Sequence, residues 1–92
     1  TMSHTIQHKP KLLARVRRIA GQVAAIEKAL EDEADCATVL HQVAGVRGAV
    51  LGLMDELIEG HLREHVARPG IDDEARSTAA DELMAAIRRY GK

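Results

Sequence analysis

Three side chains in this sequence have the chemistry and the spacing to bind a transition-metal ion together: Cys36, His61 and His65. Thiolate sulfur and imidazole nitrogen are common protein ligands of such ions. All three belong to residues 35–66, a stretch without proline whose apolar residues recur at helical spacing. At about 100° per residue, the three side chains fall within roughly 40° of one another around the helix axis. The pattern therefore predicts one long helix with a metal-binding face.

The two ends of this face are too far apart for one straight helix to close a metal site alone. Cys36 and His61 are about 25 residues apart, which is roughly 37 Å along a helix axis. Bonds from a metal to its ligands are only about 2.0–2.3 Å long. A second copy packed antiparallel would bring its own Cys36 beside His61 and His65. We therefore expect an obligate homo-oligomer with metal sites shared between chains.

A shorter helix is predicted before the long one, from Pro10 to about Leu30. Proline suits the first turn of a helix. The apolar residues that follow are spaced alternately by four and three, as in helices that pack against near-parallel partners; they are Leu12, Val16, Ile19, Val23, Ile26 and Leu30. The acidic segment 31–35 is expected to form the turn into the second helix, with Asp35 as its N-cap.

The N-terminal residues 1–8 are polar and are expected to form a flexible tail. If the first helix folds back antiparallel, this tail reaches the end of the second helix that carries His61 and His65. His4 then becomes a fourth candidate ligand, and the neighbouring chain supplies Cys36. The alternative is that His4 is an ordinary exposed residue of a loose tail.

Positive charge is concentrated at the N-terminal end of the chain. Residues 1–26 contain five Lys and Arg residues and no Asp or Glu, although the net charge of the whole chain is −1. A polar stripe is predicted on the first helix, roughly 120° from the apolar seam: Lys11, Arg15, Arg18 and Gln22. Cations without interspersed acids favour a polyanionic partner, and Arg suits phosphate, so the stripe predicts contact with nucleic acid. The alternative is a solvated polar face.

Three glycines lie on the side of the predicted second helix away from the metal-binding face: Gly45, Gly48 and Gly52. A glycine weakens a helix interior by roughly 0.5–1 kcal/mol relative to alanine. The three therefore predict the close approach of another helix. The alternative is a set of tolerated weak positions in a long helix.

Length and composition limit the remaining choices. Ninety-two residues with no Phe or Trp and a single Tyr indicate one small all-α domain, residues 1–92. A third helix is predicted from Asp72 or Asp73 to about Tyr90, as a structural cover. No signal peptide or membrane span is expected, because no apolar run approaches about 18 residues, and the lone cysteine indicates the cytoplasm. The sequence contains no nucleophile–base pair or phosphate-binding loop that would predict an enzyme.

Over residues 2–66 the sequence resembles the CsoR/RcnR/FrmR family of small helical bacterial repressors. The resemblance is carried by five segments: 13–23 (LARVRRIAGQV), 35–36 (DC), 44–50 (AGVRGAV), 52–54 (GLM) and 60–65 (GHLREH). It implies an antiparallel four-helix-bundle dimer that pairs into a dimer of dimers, a disc-like tetramer. It also implies binding to GC-tract operator DNA and release of that DNA when a ligand binds.

The same resemblance implies roles for particular residues. The sensing positions of the family fall on His4, Cys36, His61 and His65, a set similar to that of the nickel- and cobalt-sensing RcnR-type branch. Its DNA-contacting positions fall on Arg15, Arg18 and Arg47, to which the basic stripe adds Lys11. A copper(I) sensor is expected to carry a cysteine at position 65, because soft copper(I) requires more sulfur than this set provides.

The expected function is therefore that of a metal-responsive transcriptional repressor. It would release operator DNA on binding Ni(II) or Co(II) and so derepress a metal-efflux gene; the affinity order leaves Zn(II) open as well. A formaldehyde sensor of the FrmR type is the first alternative, although such a sensor is expected to use an N-terminal proline amine where this chain has Ser3. A metal carrier or store without a DNA role is an alternative of another class, and a purely structural oligomerisation module is a third.

Overall fold

In the computed structural model, residues 8–90 are described, and they form three α-helices with no strand among them. Helix α1 is Lys9–Glu31, α2 is Cys36–His61 and α3 is Asp73–Tyr90. A π-helical turn, Leu62–Val66, follows α2 directly. The predicted all-α protomer of three helices is thus confirmed. The main difference is that the second helix does not remain a regular α-helix to Val66.

Helix α1 ends in a Schellman motif centred on Glu33. The amide of Glu33 donates to the carbonyl of Leu30 at 3.1 Å, and the amide of Ala34 donates to the carbonyl of Ala29 at 2.9 Å. This pair of bonds requires a residue in the left-handed region between them. Glu33 occupies it with a φ of 58°, although this place usually belongs to glycine.

Asp35 stands directly before α2, as predicted. Its carbonyl oxygen accepts the amide of Val39 at 3.2 Å, which is the first hydrogen bond of the helix, and its carboxylate accepts the hydroxyl of Thr38. Cys36 is consequently the first residue of α2, and its side chain is exposed.

Residues 8–54 and 55–90 form two compact units, and α2 contributes residues to both. In the first unit, half-buried residues recur at heptad spacing on each helix: Leu12, Arg15, Ile19, Gln22 and Ile26 on α1, and Val39, Gln42, Val46, Ala49 and Leu53 on α2. The guanidinium of Arg15 reaches Gly52, so these two faces are turned toward each other.

The half-buried face of α1 only partly follows the predicted seam. Val16, Val23 and Leu30 were expected in the seam, but they are 45%, 50% and 60% exposed. Arg15 and Gln22, expected on a separate polar stripe, are half-buried instead. The heptad pattern contains two adjacent faces, and α2 covers the one that includes Arg15 and Gln22.

In the second unit, the π-helical turn packs against α3. The helix α3 begins after a turn in which Gly70 has a φ of 84°. Asp72 caps it, as predicted: the amide of Ala75 donates to the Asp72 carboxylate at 3.3 Å, and the amide of Arg76 donates to the Asp72 carbonyl at 2.9 Å. Ala79, in the middle of α3, is the one buried hydrophobic residue of the described chain, with 8% of its surface exposed.

The helix and π-turn together, Cys36–Val66, form a 31-residue segment with a mean hydropathy of 1.3 in its most apolar window. By length and composition alone this segment could cross a membrane, but the core helix of a soluble protein passes the same test. The search for an uninterrupted apolar run missed this segment because a few charged residues interrupt its many Ala, Val, Leu and Gly residues.

Candidate metal centre and nucleic-acid interface

His61 and His65 form the best-defined part of the candidate metal centre. Their ring centroids are 5.0 Å apart, and the ring planes are tilted by 53°. Both side chains are half-buried. The predicted pairing of these two imidazoles on one face is therefore present within a single chain.

The backbone that carries the pair is not a regular α-helix. His61 is the last residue of α2 and His65 lies in the π-helical turn, which is closed by a bond of 2.8 Å from the amide of Ala67 to the carbonyl of Leu62. A bond between residues five apart widens the helix locally, and such turns are frequent at functional sites. The spacing of two histidines by four residues did not predict this geometry.

The ring of His61 is held by α3. Its Nε2 atom lies 3.1 Å from the carbonyl oxygen of Ala79. A carbonyl oxygen only accepts hydrogen bonds, so Nε2 carries the proton in this contact and Nδ1 of the neutral ring keeps its lone pair. A hydrogen bond of this kind is the usual means by which proteins orient a metal-binding imidazole. No sequence signal predicted this contact, because the group of Ala79 involved is part of the main chain.

A cleft of about 460 Å³ lies beside the two imidazoles. Apart from His61 and His65, its lining comes from the turn before α3 and from α3 itself: Asp72, Glu74, Ala75, Thr78, Ala79 and Glu82. Across residues 8–90 of one chain, no three His, Cys, Asp or Glu side chains come together as a metal site. One chain therefore offers two candidate nitrogen donors here, and a complete metal site would require donors from elsewhere.

Two further ligands were predicted, Cys36 and His4. Cys36 belongs to the first unit, where it is exposed and has a free thiol. His4 lies outside the described residues. The shared site of His4, Cys36, His61 and His65 therefore stays a prediction.

The predicted DNA-contacting residues differ in their surroundings. Lys11, Arg18 and Arg47 are exposed, whereas Arg15 is half-buried. A Cβ atom built on Gly52 would lie 2.9 Å from a terminal nitrogen of Arg15. The first turn of α1 contains no acidic residue. An exposed, basic and acid-free helix surface of this kind suits a phosphate backbone.

Gly45, Gly48 and Gly52 of α2 are not equivalent. The close approach of another helix that they predict stays a prediction, because the neighbour of Gly52 is the end of an arginine side chain. At Gly45 and Gly48, a Cβ atom would have no neighbour within 4 Å apart from the nearby backbone of its own helix. Sequence reasoning marked Gly52 as unusual but did not connect it with Arg15.

Comparisons with known proteins agree with one another. A family model described as a metal-sensitive transcriptional repressor matches residues 8–89. An uncharacterised protein from the bioA 5′ region of Serratia marcescens is 50% identical over 91 residues, which is 99% of this chain and 100% of that protein. The transcriptional repressor RcnR of Escherichia coli (strain K12) is 47% identical over the same shares of the two chains.

The fold also matches a solved structure. It is that of a glutamate-to-histidine variant of the formaldehyde-responsive regulator FrmR from Salmonella enterica serovar Typhimurium. The TM-score is 0.83 and the sequence identity is 42%, and the match covers 91% of this chain and 94% of that one.

Proposed function

Since this chain belongs to the family of metal-sensitive transcriptional repressors, we propose that it binds operator DNA and releases it on binding Ni(II) or Co(II), derepressing a metal-efflux gene. Its relatives are repressors and not enzymes. The observation that carries the proposal is the imidazole pair of His61 and His65, with ring centroids 5.0 Å apart. Two such nitrogens on one face are suited to bind one borderline metal ion.

The donor set supports the choice of metal. The ring of His61 is oriented by the carbonyl of Ala79, and Cys36 is a free thiol. Imidazoles with one thiolate suit Ni(II), Co(II) and Zn(II), whereas copper(I) favours more sulfur. We propose that His4, Cys36, His61 and His65 are the ligands, with Cys36 contributed by a partner chain.

An oligomer is the second part of the proposal. In the first unit, large apolar side chains remain exposed along both helices: Val16, Val23 and Leu30 on α1, and Leu40, Val43 and Val50 on α2. A 92-residue chain with Ala79 as the one buried hydrophobic residue in its described part does not have a core that could stabilise it alone. We propose an antiparallel four-helix-bundle dimer that pairs into a homotetramer, and this assembly also accounts for the apolar character of α2.

The DNA-binding surface is proposed to contain Lys11, Arg15, Arg18 and Arg47. Within residues 8–90, Arg18 and Arg47 form no ion pair, so their charge is available to phosphate. Cationic contacts of this type provide most of the affinity for DNA and make it depend on salt. A repressor of chromosomal operators acts in the cytoplasm of a bacterium, and we propose that location.

Formaldehyde is the second candidate signal, because the FrmR structure is 42% identical to this chain while RcnR is 47% identical. The exposed Cys36 thiol is a nucleophile that could add to the formaldehyde carbon. The paired imidazoles have no role in that chemistry, which is why we place the metal first. A carrier or store without a DNA role remains the alternative of another class.

Fluorescence anisotropy with a labelled GC-tract duplex tests these options together. Metal-free protein should bind the duplex, and stoichiometric Ni(II) or Co(II) should weaken binding by roughly 5- to 150-fold, the usual range of allosteric coupling. Release by formaldehyde without release by metal would support the FrmR-type function instead. If the protein binds metal but its metal-free form does not bind the duplex, the chain is a carrier and the proposal is wrong.

A further inference from the structure

Gly52 and Arg15 form a contact between α2 and α1 that nothing so far explains. A Cβ atom at position 52 would lie 2.9 Å from one terminal nitrogen of Arg15 and 3.9 Å from its central guanidinium carbon. The first distance is shorter than real Cβ contacts allow. We propose that Gly52 is a positioning residue for Arg15: its missing side chain leaves the space in which the guanidinium is held for contact with operator DNA. This inference rests on the proposed function.

The glycine at this position has a role that the other two do not share. Gly45 and Gly48 lie in the same helix, and a Cβ at either position would meet nothing within 4 Å. Glycine weakens a helix interior wherever it stands. Of these three positions, only at 52 would a replacement place an atom where an arginine nitrogen already lies.

Arg15 differs from the other cations of α1 in the same respect. It is half-buried, whereas Arg17 and Arg18 are exposed. A guanidinium whose stem lies against a neighbouring helix loses less freedom on binding than one on a solvated side chain. Its planar fork can then meet a phosphate or a guanine edge in a fixed orientation. The exposed arginines supply charge, while Arg15 supplies a geometrically defined contact.

The contact also connects the two proposed tasks of the protein. Gly52 belongs to α2, the helix that begins at Cys36 and ends at His61. A change in α2 on ligand binding would therefore change the space that holds an arginine of α1. Among the proposed DNA-contacting side chains, Arg15 is therefore the one that a structural change in α2 would affect most directly.

The substitution Gly52→Ala should displace the Arg15 guanidinium without disrupting the fold. The atoms that must move belong to the far end of a flexible side chain, so the fold can accept the new methyl group at little expense. The guanidinium, however, cannot keep its place. Gly45→Ala and Gly48→Ala are matched controls, because they make the same change in the same helix without approaching any other part of their own chain.

The first experiment measures DNA affinity of the metal-free full chain by fluorescence anisotropy over a range of salt concentrations. Gly52→Ala should weaken DNA binding about tenfold or more. It should also lower the slope of log K against log salt by about 1, the value for one lost phosphate contact. The two control variants should bind like the parent, and all three alanine variants should melt at or above the parent temperature in circular dichroism. If Gly52→Ala binds DNA as tightly as the controls, the inference is wrong.

A double-mutant cycle assigns the effect to Arg15. The substitution Arg15→Lys keeps the positive charge but removes the terminal nitrogen that a Cβ at position 52 would meet. In that background Gly52→Ala should change the Kd by less than about twofold, because residues in contact are not additive. A full additional loss in the double variant would show that Gly52 acts on something other than Arg15.

A readout without DNA distinguishes failure of this inference from failure of the proposed function. Phenylglyoxal modifies accessible guanidinium groups, and mass spectrometry of the digested protein reports each arginine separately. Arg15 should be modified several times faster in Gly52→Ala than in the parent, with Arg18 unchanged as an internal reference. If the parent binds no duplex but Arg15 labelling rises, the contact stands and the function fails; an unchanged labelling rate overturns the contact itself.

Discussion

The imidazole of His61 contacts α3 through its Nε2 atom, which lies 3.1 Å from the carbonyl oxygen of Ala79. Ala79 is also the buried residue at which α3 packs closely. Ala79 therefore lies at the buried side of α3 and also orients a proposed metal ligand. The third helix, expected from the sequence to be only a cover, has a part in the candidate site.

Ala79→Leu should lower metal affinity and leave metal-free DNA binding in place. The larger side chain does not fit the buried position, so α3 must shift and the carbonyl no longer orients His61. Loss of such a contact typically lowers metal affinity about 10- to 100-fold. Competition with a colorimetric chelator measures this, and Ala86→Leu, an exposed position of the same helix, is the control. Equal affinities for the two variants would contradict the role given to Ala79.

Cys36→Ala should abolish the response to metal without weakening DNA binding. Cys36 is the only thiol in the chain, and the absorbance band from thiolate to Ni(II) or Co(II) should disappear with it. His41→Ala is a suitable control, because His41 is an exposed histidine of α2 outside the proposed set. A Cys36→Ala protein that still releases the duplex on adding metal would show that the shared site is wrong.

Arg18→Ala should weaken DNA binding and reduce its dependence on salt. Removing one phosphate contact lowers the slope of log K against log salt by about 1. Arg88→Ala removes an equally exposed arginine from the last turn of α3 and should change neither quantity. If both variants lose affinity equally, the effect belongs to net charge rather than to a surface on α1.

Val23→Asp should break the oligomer. Val23 is 50% exposed in one chain and lies on the same exposed apolar side of α1 as Val16 and Leu30. A charge there would have to be buried without a partner in the dimer. Ala25→Asp places the same charge on another face of α1 and should leave the assembly intact. Sedimentation equilibrium distinguishes tetramer, dimer and monomer. A tetramer that persists in the Val23→Asp variant would exclude this side of α1 from the interface.

The helices could be predicted from the sequence because their signals are local. Pro10 marks the start of α1, Asp35 stands before α2, Asp72 caps α3, and the apolar spacing between these points is helical. The heptad pattern could not show which of two adjacent faces α2 covers, because both contain apolar residues. That choice depends on packing, and it places Arg15 and Gln22 among the half-buried residues.

The imidazole pair could also be predicted, but not what holds it. The π-helical turn and the carbonyl of Ala79 are backbone features that arise from the packing of residues 62–66 on α3. A count of residues four apart contains no information about either. The same limit applies to Gly52, whose neighbour is distant in the sequence.

The left-handed Glu33 was equally invisible to the sequence, and it leads to the last prediction. A non-glycine residue with a φ of 58° is strained by about 1 kcal/mol or more, while glycine at that place has a more flexible unfolded state that offsets part of the gain. Glu33→Gly should therefore stabilise the protein by roughly 0.5 kcal/mol. Glu31→Gly, the same change at the last residue of α1, should destabilise it by up to about 1 kcal/mol. Urea unfolding at one fixed protein concentration measures both, since oligomer stability depends on concentration. Destabilisation by both substitutions would mean that the Glu33 side chain contributes more than its backbone strain removes.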